Sequence, residues 1–337
     1  MKVFPLRVGR TKVPYGQFYG GHDGFSVLDL AGDKSSFIWV PIHAYLIEHP
    51  TVGPMLLDTG IAPAQAGGHD AYYGGTVMQY FTDEDEYDLP AEERIEAQLA
   101  RHGRHPEDIR HIIVTHFHED HIGALPLFPD AEIVLSRGEY DARDSLIAGL
   151  VPLAFSKSVA QVRSWRPVDF TGPEIGGFEG SYDLFGDGSV VLLPTPGHSP
   201  GSTSALVELG GGRRALLAGD ALYTVRHLAV DDVMQMQVQN GAKPVFTDTV
   251  RRIQWLHRLL PGLVVLPAHD HTPYGAGLVR ALLDAEGELT DAAYAAAKAY
   301  EAETFDPAYR LNPARRPRFV PDPAGGTVGT VTGTVGD

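Results

Sequence analysis

Metal-ligating residue types are concentrated in one short stretch of the chain, Thr115-His116-Phe117-His118-Glu119-Asp120-His121. It places three imidazoles and an aspartate within six positions, directly after the apolar run 112–114. Along extended backbone, alternation sends His116 and His118 to the same side, and Asp120 and His121 follow where the chain turns. A histidine-rich surface loop explains one or two such residues, but not four of them after a buried strand. Since imidazole and carboxylate are ligands for zinc, manganese, iron or cobalt, the stretch predicts two metal ions side by side.

The composition limits which ligands and partners such a site can have. The chain has no cysteine, so each metal ligand must be histidine, aspartate, glutamate, a backbone group or water. The formal net charge of −16 repels phosphate backbones, so nucleic acid is not expected as a partner. The sequence contains neither a run of about 18 apolar residues nor an apolar signal-peptide region in 1–24. We therefore expect a cytoplasmic protein with no membrane partner, and the charge is compatible with an enzyme for a small or neutral ligand.

Short apolar runs and amphipathic stretches organise the rest of the chain into an α/β pattern. Apolar runs predict strands at 37–48, 54–58, 111–115, 131–135, 189–193, 204–209, 215–218 and 263–268. Helical periodicity predicts helices at 90–102, 137–144, 245–260 and 277–300. No firm structure is assigned to 1–34. Residues 67–88 are expected to form a long loop, and 146–185 are expected to be irregular and are a candidate for substrate contact.

The domain boundary is predicted near residue 275. One domain is expected over 1–275, followed by a helical extension and a flexible tail over 276–337. The aromatic residues of 67–88 fit either an apolar lid over a pocket or a loop held to the body of the protein. An apolar loop of this kind is also compatible with a homodimer.

Three further ligand-type residues repeat the pattern of the first stretch. His198, Asp220 and His269 each follow an apolar run after a short turn. Asp58 also ends a predicted strand, at the edge where sites in layered α/β folds gather. Four strand ends that together supply five histidines and two aspartates predict a single site. The remaining histidines, His43 among them, join no such cluster and are not expected to be ligands.

This combined motif resembles the metallo-β-lactamase superfamily of dinuclear metallohydrolases, over roughly residues 37–270. The resemblance implies an αββα sandwich, two sheets back to back with helices outside and the metals at one edge. It implies that the first metal binds His116, His118 and His198. The second metal would bind Asp120, His121 and His269, and Asp220 would bridge both. Asp58 matches a carboxylate that orients a ligand imidazole. The implied cofactors are two divalent metal ions, zinc first, with manganese, iron and cobalt as alternatives.

Within that superfamily the chain is most similar to the N-acyl-homoserine lactone lactonases. The segment Thr195-Pro-Gly-His198-Ser-Pro-Gly resembles their third-ligand loop, and Tyr223 stands three residues past Asp220, as in those enzymes. His269-Asp270 resembles their Gly-His-Asp motif, with Ala268 in place of glycine. Two features depart from the pattern: the gap of 77 positions between His121 and His198, and the segment after residue 274.

The resemblance implies a mechanism for opening a lactone ring. A hydroxide that bridges the two metals would attack the lactone carbonyl, and Tyr223 would donate a hydrogen bond to the developing oxyanion. Asp120 would carry the proton from the water to the leaving ring oxygen. The alternative for Tyr223 is a tyrosine packed in the core, its hydroxyl satisfied by backbone.

The ligands alone leave other substrates open: another lactone, an aryl ester or organophosphate, or a glutathione thioester as in glyoxalase II. The last would use a basic patch, of which Arg310, Arg315, Arg316 and Arg318 form a sparse version. β-Lactam hydrolysis is disfavoured because the commonest such enzymes place cysteine where Asp220 stands, and the charge disfavours a nuclease. Flavodiiron proteins exchange one histidine for a carboxylate, and a sensor would be expected to lose ligands; neither change occurs here.

Overall fold

The computed structural model of the chain describes residues 1–14, 37–74, 87–147, 151–228, 242–270, 320–321 and 327–328. Its strands are β1 Lys2–Pro14, β2 Phe37–His49, β3 Gly53–Leu57, β4 Tyr87–Asp88, β5 His111–Ile113, β6 Glu132–Ser136, β7 Leu146–Ile147, β8 Val151–Pro152, β9 Ser164–Val168, β10 Tyr182–Asp183, β11 Val190–Pro194, β12 Thr203–Gly210, β13 Arg213–Gly219, β14 Leu263–Pro267, β15 Val320–Pro321 and β16 Thr327–Val328. Its α-helices are α1 Pro63–Gly67, α2 His69–Tyr73, α3 Ile95–Arg101, α4 Glu119–Ile122, α5 Arg137–Ala142, α6 Ser156–Val159 and α7 Ala242–Leu259. Short 3₁₀ turns lie at Ala91–Glu93, Pro106–Asp108, Leu125–Leu127 and Val225–Leu228.

Two mixed sheets form the body of the protein. The larger sheet has the strand order β4-β1-β2-β3-β5-β6-β9, and the smaller has the order β10-β11-β12-β13-β14. Antiparallel hairpins join β2 to β3 and β12 to β13. Parallel pairing joins β3 to β5, β5 to β6 and β6 to β9 in the larger sheet, and β13 to β14 in the smaller. Because parallel neighbours end at the same edge of a sheet, residues that follow β3, β5, β13 and β14 come close together.

The two faces of the larger sheet contribute to different buried clusters, as the two-residue alternation of a strand requires. Tyr45 and Ile47 of β2 pack with the apolar residues of β11 to β14 in the space between the sheets. Ala44 and Leu46 point the other way and pack in one cluster with Leu99 of α3. The long helix α7 buries a stripe at helical spacing in the cluster of the smaller sheet, formed by Phe246, Val250, Ile253 and Leu256. The predicted αββα order of helix, sheet, sheet and helix is confirmed.

The first residues of the chain are more regular than predicted. Lys2–Pro14 forms β1 and pairs antiparallel with β2, so the expectation of no firm structure over 1–34 was wrong for this part. Pro5 and Gly9 interrupt the apolar pattern and argue against a strand. Gly9, with φ 106°, lies where the pairing register shifts between Arg7 and Arg10. A bulge at this glycine lets β1 continue past the interruption.

Two predicted irregular regions also contain regular elements. Within 146–185, β9 lies at the edge of the larger sheet, parallel to β6, and α6 precedes it. Within 67–88, α2 occupies His69–Tyr73, and 75–86 lies outside the described residues. The helix predicted at 90–102 is shorter, because Arg94 adopts ψ 141° and separates the 3₁₀ turn Ala91–Glu93 from α3.

Much of the predicted C-terminal extension lies outside the described residues. This holds for the helix predicted at 277–300 and for most of 276–337, so the proposed division into a domain and an extension stays a prediction. Where the structure describes this region, β15 and β16 pair antiparallel. None of the described helices is both long and apolar enough to cross a bilayer.

Candidate metal centre

The predicted ligands meet at one edge of the sandwich, where strands of both sheets end. His116 follows β5 of the larger sheet, and Asp220 and His269 follow β13 and β14 of the smaller one. His198 lies in the turn after β11. Backbone hydrogen bonds join the two sheets beside these residues, from the Thr203 N–H to the Thr115 carbonyl (2.9 Å) and from His43 N–H to the Ala268 carbonyl (3.1 Å). Residues far apart in sequence are therefore held in one place by the main chain.

The first group of ring nitrogens belongs to His116, His118 and His198. His198 Nε2 lies 3.1 Å from His116 Nε2 and 2.8 Å from His118 Nδ1. His116 and His198 are buried, whereas His118 is partly exposed. Neutral imidazoles carry one proton each, so three nitrogens aimed at one point present more lone pairs than hydrogen bonds among them can use. This is the donor geometry that a divalent cation takes.

The second group consists of Asp120, His121 and His269. His269 Nε2 lies 3.2 Å from Asp120 Oδ2 and 3.3 Å from His121 Nε2. His121 Nε2 lies 3.7 Å from the same aspartate oxygen. Asp120 is the more exposed member, with 14% of its side chain accessible, so the group opens toward solvent on that side.

Asp220 lies between the two groups and turns one oxygen toward each. Its Oδ2 is 3.3 Å from His198 Nε2 of the first group. Its Oδ1 is 3.3 Å from His121 Nε2 and 3.2 Å from His269 Nε2 of the second group. Asp220 Oδ1 is buried and has no hydrogen-bond partner among the described residues. A buried carboxylate oxygen without a donor is costly, and a cation beside it removes that penalty. The residues present thus fit two divalent cations bridged by one carboxylate.

The outer ring nitrogens are held by acceptors that set the tautomer of the imidazoles. His121 Nδ1 lies 2.8 Å from Asp58 Oδ2, and His269 Nδ1 lies 2.8 Å from the carbonyl oxygen of Pro41. A carboxylate or carbonyl oxygen can only accept, so Nδ1 carries the proton in both histidines. In the neutral form, each Nε2 then has a lone pair directed into the site, as a ligand imidazole requires.

Asp58 also organises the start of the ligand stretch. Its Oδ1 accepts a hydrogen bond from Thr115 N–H (2.8 Å), and its Oδ2 accepts one from Thr115 Oγ1 (2.8 Å). Its backbone adopts φ 58°, in the left-handed region that non-glycine residues rarely enter. This conformation turns a buried carboxylate onto both Thr115 and His121, so the strained backbone lies at the site itself.

The imidazoles of the first group favour the neutral form. Burial lowers the pKa of His198 to about 3 and also lowers the pKa of His118. Burial, and then the neighbouring His121, lower the pKa of His116 well below its usual value. Neutral imidazole is the form that binds a metal ion, so this group needs to lose no proton near neutral pH.

The second group has the opposite balance. Burial opposes the charged form of His269, but the carboxylates of Asp220 and Asp120 outweigh it and raise its pKa to about 10. Burial is likewise outweighed at His121, where Asp120, Asp220 and Asp58 raise the pKa. Burial also opposes ionisation of Asp120, but His121 and His269 hold its pKa at about 2. Cations therefore compete with protons for this group.

Tyr223 lies beside the first group but is fully buried. Its hydroxyl is 2.9 Å from His198 Nδ1, and its ring stacks on Phe246 at a centroid distance of 5.5 Å. The hydroxyl therefore contacts a candidate ligand histidine, which neither the catalytic nor the core-packing expectation from sequence included. Sequence reasoning also missed the Pro41 carbonyl, and it missed Glu139, whose carboxylate accepts the Phe117 N–H (2.9 Å) between His116 and His118. Neither group lies in a ligand-type cluster of the sequence.

The fold and the site together define an αββα protein with a donor set for divalent cations at the shared edge of its sheets. The family model described as the metallo-beta-lactamase superfamily matches residues 38–296, and this chain belongs to that superfamily.

Two relatives carry the name N-acyl homoserine lactonase AttM. The protein of Azorhizobium caulinodans is 30% identical over 239 residues, which cover 68% of this chain and 82% of the relative. That of Agrobacterium fabrum is 30% identical over 223 residues, or 64% of this chain and 76% of the relative.

A solved structure shares the fold. It is an N-acyl homoserine lactone hydrolase with the product N-hexanoyl-L-homoserine bound at its catalytic metal centre. The match has a TM-score of 0.60 and 24% identity, and covers 80% of this chain and 93% of that one.

Proposed function

We propose that this chain is a metal-dependent lactonase that opens the ring of N-acyl-homoserine lactones. The observation that carries the chemistry is the position of Asp220, with one oxygen toward each of two ligand groups. The names of the AttM relatives at 30% identity support the substrate class. The proposed cofactors are two divalent cations, with zinc first because it takes histidine and aspartate ligands in hydrolytic sites.

The ligand sets follow from the two groups described above. His116, His118 and His198 would hold the first cation, Asp120, His121 and His269 would hold the second, and Asp220 would contact both. When bound, the cations supply Lewis-acid polarisation of the lactone carbonyl and a water activated at neutral pH.

The chain's own residues hold and move the proton in this proposal. Asp120 is ionised at neutral pH because its pKa is about 2, and its side chain is more exposed (14%) than that of Asp220 (5%). It accepts the proton from the attacking water and returns it to the ring oxygen as the ester bond breaks. Tyr223 donates a hydrogen bond to the carbonyl oxygen as negative charge develops there. Its contact with His198 places the hydroxyl at the edge of the first group.

A pH-indicator assay of ring opening by the zinc-loaded chain tests this function. The substrates are a short and a long N-acyl-homoserine lactone, with γ-butyrolactone, paraoxon and S-lactoylglutathione for comparison. Acid release from the acyl-homoserine lactones, abolished by chelation, is the expected result. Activity on paraoxon or the thioester alone would contradict the substrate, and no activity on any of them with cations bound would contradict a hydrolase.

The same assay tests Tyr223. A Tyr223→Phe chain keeps the stacked ring and loses one donor, so we expect turnover to fall roughly 100-fold with both cations retained. Tyr45→Phe is the matched control, because Tyr45 is equally buried and its hydroxyl donates to the Pro267 carbonyl (3.4 Å). Full turnover by the Tyr223→Phe chain would remove that residue from the mechanism.

A further inference from the structure

A buried carboxylate outside the ligand set lies against the first group. Glu139, in the first turn of α5, has no accessible surface, although glutamate is almost never fully buried without partners. Such a side chain persists in a core only where hydrogen bonds compensate for its lost hydration. Its partners therefore indicate what it does.

Among the described residues, three hydrogen bonds reach the Glu139 carboxylate, and all three come from the segments that carry the first ligand group. Its Oε1 accepts the Phe117 N–H (2.9 Å), and Phe117 stands between His116 and His118. Its Oε2 accepts the Ser199 hydroxyl (2.6 Å) and the Gly201 N–H (2.9 Å), immediately after His198. One carboxylate thus joins two segments that are about 80 residues apart in sequence and supply three converging imidazoles.

The fit of α5 against the His198 loop is close. Ser136 Oγ accepts the Glu139 N–H (3.0 Å) and donates to the Gly201 carbonyl (2.5 Å), so the helix start is bonded to the loop on both sides of the carboxylate. A Cβ on Gly201 would lie 2.0 Å from the Glu139 nitrogen. The start of α5 and the His198 loop therefore cannot separate without breaking these contacts.

The chemistry of the three donors requires glutamate at this position. All three partners donate, and a carboxylate accepts at both oxygens. The amide of glutamine would place its NH₂ against either the Phe117 N–H or the Gly201 N–H, a donor facing a donor. Aspartate is one methylene shorter and cannot reach both segments.

We propose that Glu139 is a positioning residue for the first cation: it fixes the spacing between the His116–His118 segment and His198. This inference rests on the proposed function, because it assumes that the first group binds a cation. Loss of the carboxylate should weaken the first cation site roughly 10- to 100-fold, as for other groups that orient metal ligands, and leave the second site occupied.

The test counts Zn²⁺ ions per chain by native mass spectrometry, over a series of free Zn²⁺ concentrations set by a chelating buffer. The parent chain should bind two ions, and Glu139→Gln should retain one at concentrations where the parent holds both. Adding His198→Ala to the Glu139→Gln chain should remove nothing more, whereas adding His269→Ala should remove the remaining ion. Leu99→Ala, a buried substitution in α3 that changes neither a candidate ligand nor a hydrogen bond to Glu139, is the stability control and should bind two ions.

Ser199→Ala is the second variant and keeps the test decisive if Glu139→Gln does not fold. It removes one of the three hydrogen bonds, so we expect a smaller loss of affinity at the same site. If Glu139→Gln binds two ions with the affinity of the parent, the positioning role is overturned and the dinuclear proposal stays intact. If Glu139→Gln does not fold, the same result with Ser199→Ala has the same meaning. A parent chain that binds no Zn²⁺ would overturn the proposed function and this inference with it.

Discussion

His43 on β2 shows how a single residue can link the fold to pH without being a ligand. Its side chain is 3% exposed, and its Nδ1–H donates to the Ala268 carbonyl, 2.9 Å away. Burial lowers the pKa of His43 from 6.5 to about 3, so the folded chain holds this imidazole neutral. The unfolded chain binds a proton there already at about pH 6.5. The contribution to stability is therefore complete above about pH 6.5 and is lost as the pH falls toward about 3.

Replacing His43 by asparagine tests this dependence, because its amide nitrogen takes the position of Nδ1 and can donate to Ala268 but does not titrate. Between pH 7 and pH 5 we expect the parent to lose about 2 kcal/mol more of its free energy of unfolding than His43→Asn loses. Urea unfolding of the two chains at both pH values measures these losses. Both chains contain the other buried histidines, so their contribution cancels when one loss is subtracted from the other. Equal losses in both chains would mean that His43 is protonated inside the fold.

Sequence reasoning could bring together the candidate ligand residues but not the groups that hold them. His116, His198, Asp220 and His269 are recognisable because each is a ligand type placed just after an apolar strand, and the structure brings them together. The Pro41 carbonyl on His269 has no side chain that could mark it. In the sequence, Glu139 looks like an ordinary acidic residue in the first turn of a helix. Its contact with the ligand segments is formed only in the tertiary fold.

At the scale of elements, α5 and the loop after His198 lie very close together beside the site. Gly201→Ala would drive a methyl group into the Glu139 nitrogen and the Ser136 hydroxyl, at 2.0 and 2.4 Å. We expect a loss of about 1–3 kcal/mol in the free energy of unfolding, because the helix and the loop must move apart. Gly138→Ala is the matched control: it lies in α5, and its Cβ would meet Gly201 Cα at an ordinary 3.6 Å.

Urea unfolding of the three chains measures both effects. The control is expected to be neutral or stabilising by up to about 1 kcal/mol, since alanine favours the helix more than glycine does. If Gly201→Ala were as stable as the parent, the contact between α5 and the loop would not be tight.

The strands that were predicted correctly each show one clear pattern of apolar residues in the sequence. β2, β3, β12 and β13 form the predicted hairpins, with the turn 210–212 entirely glycine and all three at positive φ. β1 was missed because Pro5 and Gly9 lie inside it. β9 was missed because, of its five residues, Val168 alone is buried, as suits an edge strand. The helix at 90–102 was too long because no local signal marks the extended ψ of Arg94.

For the whole molecule, the important feature is that the candidate ligands come from both sheets. His116, His118, Asp120 and His121 follow the larger sheet, whereas His198, Asp220 and His269 follow strands of the smaller one. Each proposed cation therefore has ligands from both halves of the sandwich, and the family resemblance on which this division rests was visible in the sequence. The way in which the two sheets meet was not visible in the sequence, because it depends on packing between strands more than 100 residues apart, such as β2 and β14.

Cations bound in this way are expected to stabilise the sandwich as a unit. A ligand that binds the folded chain alone adds about 4 kcal/mol per site to the free energy of unfolding when its free concentration is about 1,000 times Kd. Urea unfolding followed by circular dichroism, in buffered Zn²⁺ and then in excess chelator, should show the midpoint fall on chelation with little change in slope. Leu99→Ala, less stable throughout, should show the same difference, since its cavity lies on the outer face of the larger sheet. Midpoints that do not respond to chelation in a chain shown to bind Zn²⁺ would mean that the ion binds the folded and the unfolded chain equally well, so that binding does not require the two sheets to meet.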